Sequence, residues 1–141
     1  MTNSTPIDET RVKLQARALE RIYEGSKWLT GGQISALGIH NIGDPGAAAR
    51  KWKEKGQLLS LEINGQEMYP AYMFGTDSVP LPIIQEIILA LHGWDPVAMA
   101  GWFESTSSFL SGKRPRELVA KNPSQVLSAA QDAVMQMENP N

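Results

Sequence analysis

The sequence predicts a mainly α-helical protein carrying one small β-hairpin. Three observations lead there. A capping residue followed by proline, the usual opening of a helix, recurs at Thr5-Pro6, Asp44-Pro45, Asp95-Pro96 and Asn122-Pro123. Asn64-Gly65 sits between short apolar runs, which favours a tight type I′ hairpin. After Gly75 the apolar residues recur at helical spacing, as in Ile84, Ile87, Ile88 and Leu91.

Taken in order, the first helix opens at Thr5-Pro6-Ile7-Asp8 and ends near Gly25. Val12, Ala16, Leu19, Ile22 and Tyr23 share one of its faces, while Arg11, Lys13, Arg17 and Arg21 ride on or near the outer side. Trp28-Leu29-Thr30 then leads into GGQISALG, where Thr30 is placed to cap a short helix that turns Ile34 and Leu37 inward and closes at Gly38. Asp44-Pro45 opens a second short helix, PGAAARKWKEKG, with Ala48 and Trp52 four apart and Gly56 ending the run. The connection from Gly38 to Gly43 is longer than the usual turn between such helices. Leu58, Leu59, Leu61 and Ile63 precede the Asn-Gly step, and Gln66 to Pro70 follow it. A helix pair and then a hairpin is the order of a winged helix-turn-helix, whose second helix can enter a major groove.

Prolines and small residues between Gly75 and Pro82 mark the boundary between an N-terminal unit, 1–75, and a C-terminal unit, 76–141, that is helical throughout. Leu81 to Leu91 forms its first helix, stopped by Gly93. Asp95-Pro96 begins the next, with Val97, Ala98 and Trp102-Phe103 as its apolar positions, and Ser105 to Ser108 turn the chain toward Phe109-Leu110. Gly112 to Pro115 turns into a short helix holding Leu118 and Val119. Asn122-Pro123 caps the last helix, where Val126, Ala130, Ala133 and Val134 share a face, and the tail from Glu138 to Asn141 is expected to fray.

The bulk properties narrow the function classes. With 141 residues, 42% hydrophobic content and four tryptophans, the chain has enough apolar surface for a folded core. It has no cysteine, which removes disulfides, thiolate metal sites and thiol nucleophiles. No leader or bilayer-length apolar run is visible, so a cytoplasmic location and no membrane association are expected. The net charge is −2, but its distribution is uneven: residues 1–75 hold nine Lys/Arg against eight Asp/Glu, and residues 76–141 hold four against seven. His40 and His92 are isolated from each other and from carboxylates at ligand spacing, and no nucleophile elbow, phosphate loop or carboxylate pair is present. We therefore expect no enzyme activity, no metal and no cofactor.

The segments WLTGGQISALGI, DPGAAARKWKEKGQLLSLEINGQEMYPAYMF, PLPIIQEIILAL, GWDPVAMAGWFESTSSFLSGKRPRELV and NPSQVLSAAQDAV, in this order, resemble a bacterial antitoxin family. Its members join an Xre/MbcA/ParS-type toxin-binding domain to an excisionase-like or MerR-like DNA-binding head. The resemblance spans residues 28–136 and is most specific at Trp102-Phe103, Phe109-Leu110, Gly112, Pro115 and Leu118. Two features depart from it. Many relatives carry a glycine where this chain has Asn122-Pro123, and the head differs from the phage-repressor type. The resemblance implies a head that binds double-stranded DNA at the protein's own promoter, and a C-terminal module that dimerises and occludes an RES-type toxin consuming NAD.

The residues in question also have plainer readings. Arg50, Lys51, Lys53 and Lys55 on the second short helix, with Asn64 and Gln66 at the hairpin tip, are candidates for DNA contact, or else form a solvated cationic face. Trp28, Trp52, Tyr69, Tyr72 and Phe74 are expected to be packing residues rather than stacking platforms for bases. Trp102, Phe103, Phe109 and Leu110 form either an exposed partner-binding patch or an internal core. Lys113, Arg114 and Arg116 either enter an acidic or phosphate-binding pocket on the toxin or interact with solvent and with the preceding helix end. A protein-interaction adaptor that does not bind DNA is the alternative function.

Overall fold

The computed structural model describes residues 6–37 and 44–139. The cap expected at Thr5, the helix stop at Gly38, His40 and the long connection to Gly43 lie outside the described residues. Seven α-helices and three strands are found among those described: α1 Pro6–Gly25, β1 Trp28–Thr30, α2 Gly31–Leu37, α3 Ala47–Glu54, β2 Leu61–Ile63, β3 Gln66–Pro70, α4 Pro82–Ala90, α5 Pro96–Glu104, α6 Pro115–Leu118 and α7 Pro123–Glu138.

The hairpin forms as its turn residues dictate. Asn64 (φ 53°) and Gly65 (φ 77°) both take the left-handed conformation a type I′ turn requires, which sets Ile63 opposite Gln66 and Leu61 opposite Met68. This alternation buries Leu61, Ile63 and Met68 and leaves Glu62 exposed. Trp28–Thr30 is a strand rather than a simple lead into α2. It pairs antiparallel with the other edge of β3, Trp28 opposite Pro70 and Leu29 opposite Tyr69, giving a three-stranded sheet in the order β1-β3-β2.

Local capping explains the starts of α2 and α5. Thr30 Oγ1 accepts from Gln33 N–H (3.1 Å) while Gln33 Oε1 accepts from Thr30 N–H (2.8 Å), a reciprocal pair that satisfies two otherwise orphaned donors at the head of α2. Asp95 accepts from Ala98 N–H (2.8 Å) to open α5. Asp44-Pro45, expected to open α3, lies before it: the N-cap is Gly46, with no side-chain cap, and Asp44 accepts from Gly46 N–H (3.2 Å) in the preceding turn. Asn122 departs from expectation. Its side chain caps nothing, and α7 starts on the proline alone.

Several inward-facing assignments are corrected. Among the residues of α1 whose burial is described, Ile22 is buried and Leu19 partly so, whereas Val12, Ala16 and Tyr23 are exposed. The apolar periodicity of α1 continues past the point where another element lies against it. Leu37 is likewise exposed, and on α5 the exposed first turn carries Val97 and Ala98 while Met99, Ala100 and Phe103 point inward.

A single hydrophobic cluster runs through both halves of the chain. It joins Ile22, Trp28, Leu29 and Tyr69 to Met73, Ile84, Leu91, Phe103, Val126 and Val134. The Gly75–Pro82 segment is a tight loop, held by Gly75 N–H to the Val79 carbonyl (2.9 Å) and Leu81 N–H to the Met73 carbonyl (2.8 Å). α7 packs against α4, and α1 packs against α5. Each fully buried Ile or Phe here contributes about 1.5–3 kcal/mol relative to exposure. No helix among the described residues is long and apolar enough to cross a membrane.

Candidate nucleic-acid interface

The second short helix, α3, is held from inside by Ala49, which is fully buried, and by Trp52, whose ring meets Phe74 edge-on at 6.1 Å. Its start lies tight against α2, where Ser35 Oγ donates to the Pro45 carbonyl. Its end is fastened to α4, where Gln85 Nε2 donates to the Lys55 carbonyl (3.2 Å). With the inner face committed, Arg50, Lys51, Lys53 and Lys55 are all exposed. Asn64, Gly65 and Gln66 are exposed at the hairpin tip.

An ion pair links helix and hairpin. Glu67 on β3 accepts from Lys53 Nζ (2.5 Å) and from Ser60 Oγ (2.8 Å). Those hydrogen bonds, the Lys53 bond foremost, hold the Glu67 carboxyl below its ordinary range. Tyr69 beside it is pushed up to about 12, first by burial and then by the Glu67 charge. Arg50 is paired as well, its guanidinium held by the Asp44 carboxylate. Two of the four cations are therefore engaged by carboxylates. Lys51 and Lys55 form no ion pair with a described residue. Glu54 and Glu62 are exposed on α3 and β2, so the surface carries charges of both signs.

The candidate partner-binding residues do not form one patch. Phe103 is fully buried and Leu110 is 3% exposed, so both belong to the core. Trp102 is partly buried against Phe103, ring centroids 5.1 Å apart, and Phe109 alone is largely exposed at 48%. Lys113 is exposed, while Arg114 and Arg116 turn back onto the end of α5. Arg114 Nε donates to the Glu104 carbonyl (2.8 Å) and Arg116 Nε to Glu104 Oε1 (2.8 Å). The plainer reading of these two arginines, contact with the preceding helix end, is the one the contacts match.

Sequence reasoning missed this cluster around Glu104. Ser26 Oγ donates to Glu104 Oε2 (2.5 Å), and a side chain at Gly25 would strike Oε1, so Gly25 is where the chain lets the carboxylate in. The Tyr72 hydroxyl is buried with no hydrogen-bond partner among the described residues, and burial pushes its ionisation well above the ordinary range, with Glu104 adding to the rise. A carboxylate and two arginines 10 and 12 residues apart gave the only sequence signal, and charges at that spacing carry none without the fold. His92 lies 3.7 Å from Glu138, both exposed, and no group of three potential metal ligands occurs among the described residues.

No protein-family model, curated protein or solved structure matches the chain.

Proposed function

We propose that this protein is a DNA-binding regulator of the antitoxin kind, reading double-stranded DNA with a winged helix-turn-helix formed by α2, α3 and the β2–β3 hairpin. The observation that carries the reading is the joint exposure of Arg50, Lys51, Lys53 and Lys55 on α3 beside Asn64 and Gln66 at the hairpin tip, with Lys53 and Glu67 bracing the two elements. α3 supplies the groove-facing helix and the hairpin tip supplies the wing, contacting phosphate. The C-terminal helices hold a toxin, of the RES type by resemblance, and a second copy of the chain. The protein itself performs no chemistry in this scheme. It acts by occluding its operator and its toxin in the cytoplasm. Partner contact falls to Trp102, Phe109 and Lys113, candidate residues that keep accessible surface and are not turned back onto Glu104 as Arg114 and Arg116 are.

Fluorescence anisotropy on a duplex from the protein's own promoter tests the DNA half. Saturable binding that weakens steeply with salt is expected, and no binding at low salt rejects it. Co-expression with the neighbouring reading frame, followed by pull-down, tests the toxin half.

A second reading, a protein-interaction adaptor without DNA binding, is favoured by the carboxylates on the same surface. Asp44 and Glu67 already occupy Arg50 and Lys53. The anisotropy measurement separates the two.

A further inference from the structure

A cleft of about 500 Å³ lies between the C-terminal end of α1 and the α5–α6 junction, lined by Ala18, Arg21, Ile22, Gly101, Arg114 and Arg116 together with Glu104. We propose that it binds a small organic phosphate monoester. The inference is independent of the DNA reading.

Charge and donor inventory lead there. Glu104 is committed inside the protein: one carboxylate oxygen accepts from Arg116 and the other from Ser26. Arg114 and Arg116 each spend Nε on Glu104, and their terminal guanidinium nitrogens make no hydrogen bond with a described residue. A guanidinium has five N–H donors in a planar fork, so each arginine keeps donors suited to bidentate capture of an oxyanion. Arg21 is exposed on α1 and forms no ion pair with a described residue. Among the lining side chains three positive charges stand against one negative, a surplus of two, with the Glu117 carboxylate outside the lining but close enough to interact with Arg114 and Arg116.

That surplus matches a phosphate monoester, which carries about −1.5 to −2 at neutral pH, better than a carboxylate monoanion. Ala18, Ile22 and Gly101 give the cleft an apolar wall for the carbon portion, and the volume falls within the roughly 300–1,000 Å³ of small-molecule sites. Arg114 and Arg116 are fixed by Glu104 before any ligand arrives, so little side-chain freedom is lost on binding.

Isothermal titration of the full chain with phenyl phosphate, with benzoate as the monoanionic comparison, tests this. Phenyl phosphate should bind with a Kd of about 1 mM or tighter, and benzoate roughly tenfold more weakly. Arg21→Ala, at an exposed position, should weaken phenyl phosphate roughly tenfold. Ala18→Glu should abolish binding by adding a carboxylate to the wall. Circular dichroism and the melting temperature should be unchanged in both variants. No saturable binding of phenyl phosphate, equal binding of benzoate, or undiminished binding by a folded Arg21→Ala protein would each overturn the proposal.

Discussion

The backbones of Gly31 and Gly46 touch where α2 meets the start of α3: a Cβ added at Gly31 would lie 3.0 Å from the Gly46 Cα. The atom it meets is main chain and cannot swing aside. Gly31→Val should therefore push the two helices apart and destabilise the fold by about 1–3 kcal/mol, read as a lower urea midpoint at constant m-value. A Cβ at Gly46 meets side chains and no main chain: the far end of Arg50 at 2.5 Å, which can move, and Asp44 Oδ1 at 4.0 Å, an ordinary contact. Gly46→Ala should be tolerated, and equal midpoints for the two variants would refute this account of the crossing.

The Lys53–Glu67 pair predicts a pH dependence. The folded carboxyl ionises below its ordinary 4.5, so the pair's stabilisation is complete above that value and is lost as pH falls through the lower, folded one. Both side chains are more than a third exposed, which limits the effect to about 0.2–1 kcal/mol. Urea melts of Glu67→Gln should show that deficit at neutral pH and converge with wild type in acid. A deficit that persists unchanged in acid would assign the effect to something other than charge.

Asp44 restrains Arg50, which the DNA reading needs at the interface. Asp44→Asn keeps the hydrogen-bond acceptor that precedes α3 and removes the charge. An exposed pair is worth about 0.2–1 kcal/mol, so releasing it should tighten promoter binding about 1.5- to 5-fold in anisotropy titrations. Weaker binding by a stable Asp44→Asn protein would count against Arg50 as a DNA contact.

The two phenylalanines of the C-terminal signature should separate. Phe103→Ala empties a fully buried site and should cost about 3–5 kcal/mol, whereas Phe109→Ala, at 48% exposure, should stay within about 1 kcal/mol of wild type in thermal melts. If the toxin reading holds, Phe109→Ala should reduce co-purification of the partner with little loss of stability. Equal destabilisation by both would show that Phe109 is held in the core.

The local grammar of the chain was legible in its sequence. Asn64-Gly65, Thr30 with its helix, Asp95-Pro96 and Gly93 (φ 82°) act through neighbours a few residues away, and they specify what they were expected to. What stayed hidden depends on distant partners. A three-residue strand such as Trp28–Thr30 is too short for periodicity to reveal, and its partner β3 lies some forty residues on. Val12 and Ala16, exposed on α1, follow the same apolar spacing as the buried Ile22, because periodicity defines a face without saying what covers it. At the candidate interface, the four cations and the hairpin tip could be read directly. Their engagement by Asp44 and Glu67 could not, since both pairs are made by the packing of α3.

Because Ile22, Met73 and Phe103 are stitched into one apolar body, the two ends of this chain should melt together. Trp28 and Trp52 report from one side, Trp94 and Trp102 from the other, and single-tryptophan variants should trace one coincident denaturation curve. Cutting the chain at Gly75 would strand apolar surface on both fragments. A molecule that grips the helical end would thereby also shield the α3 end from proteases and heat, through their shared cooperativity and without any moving part.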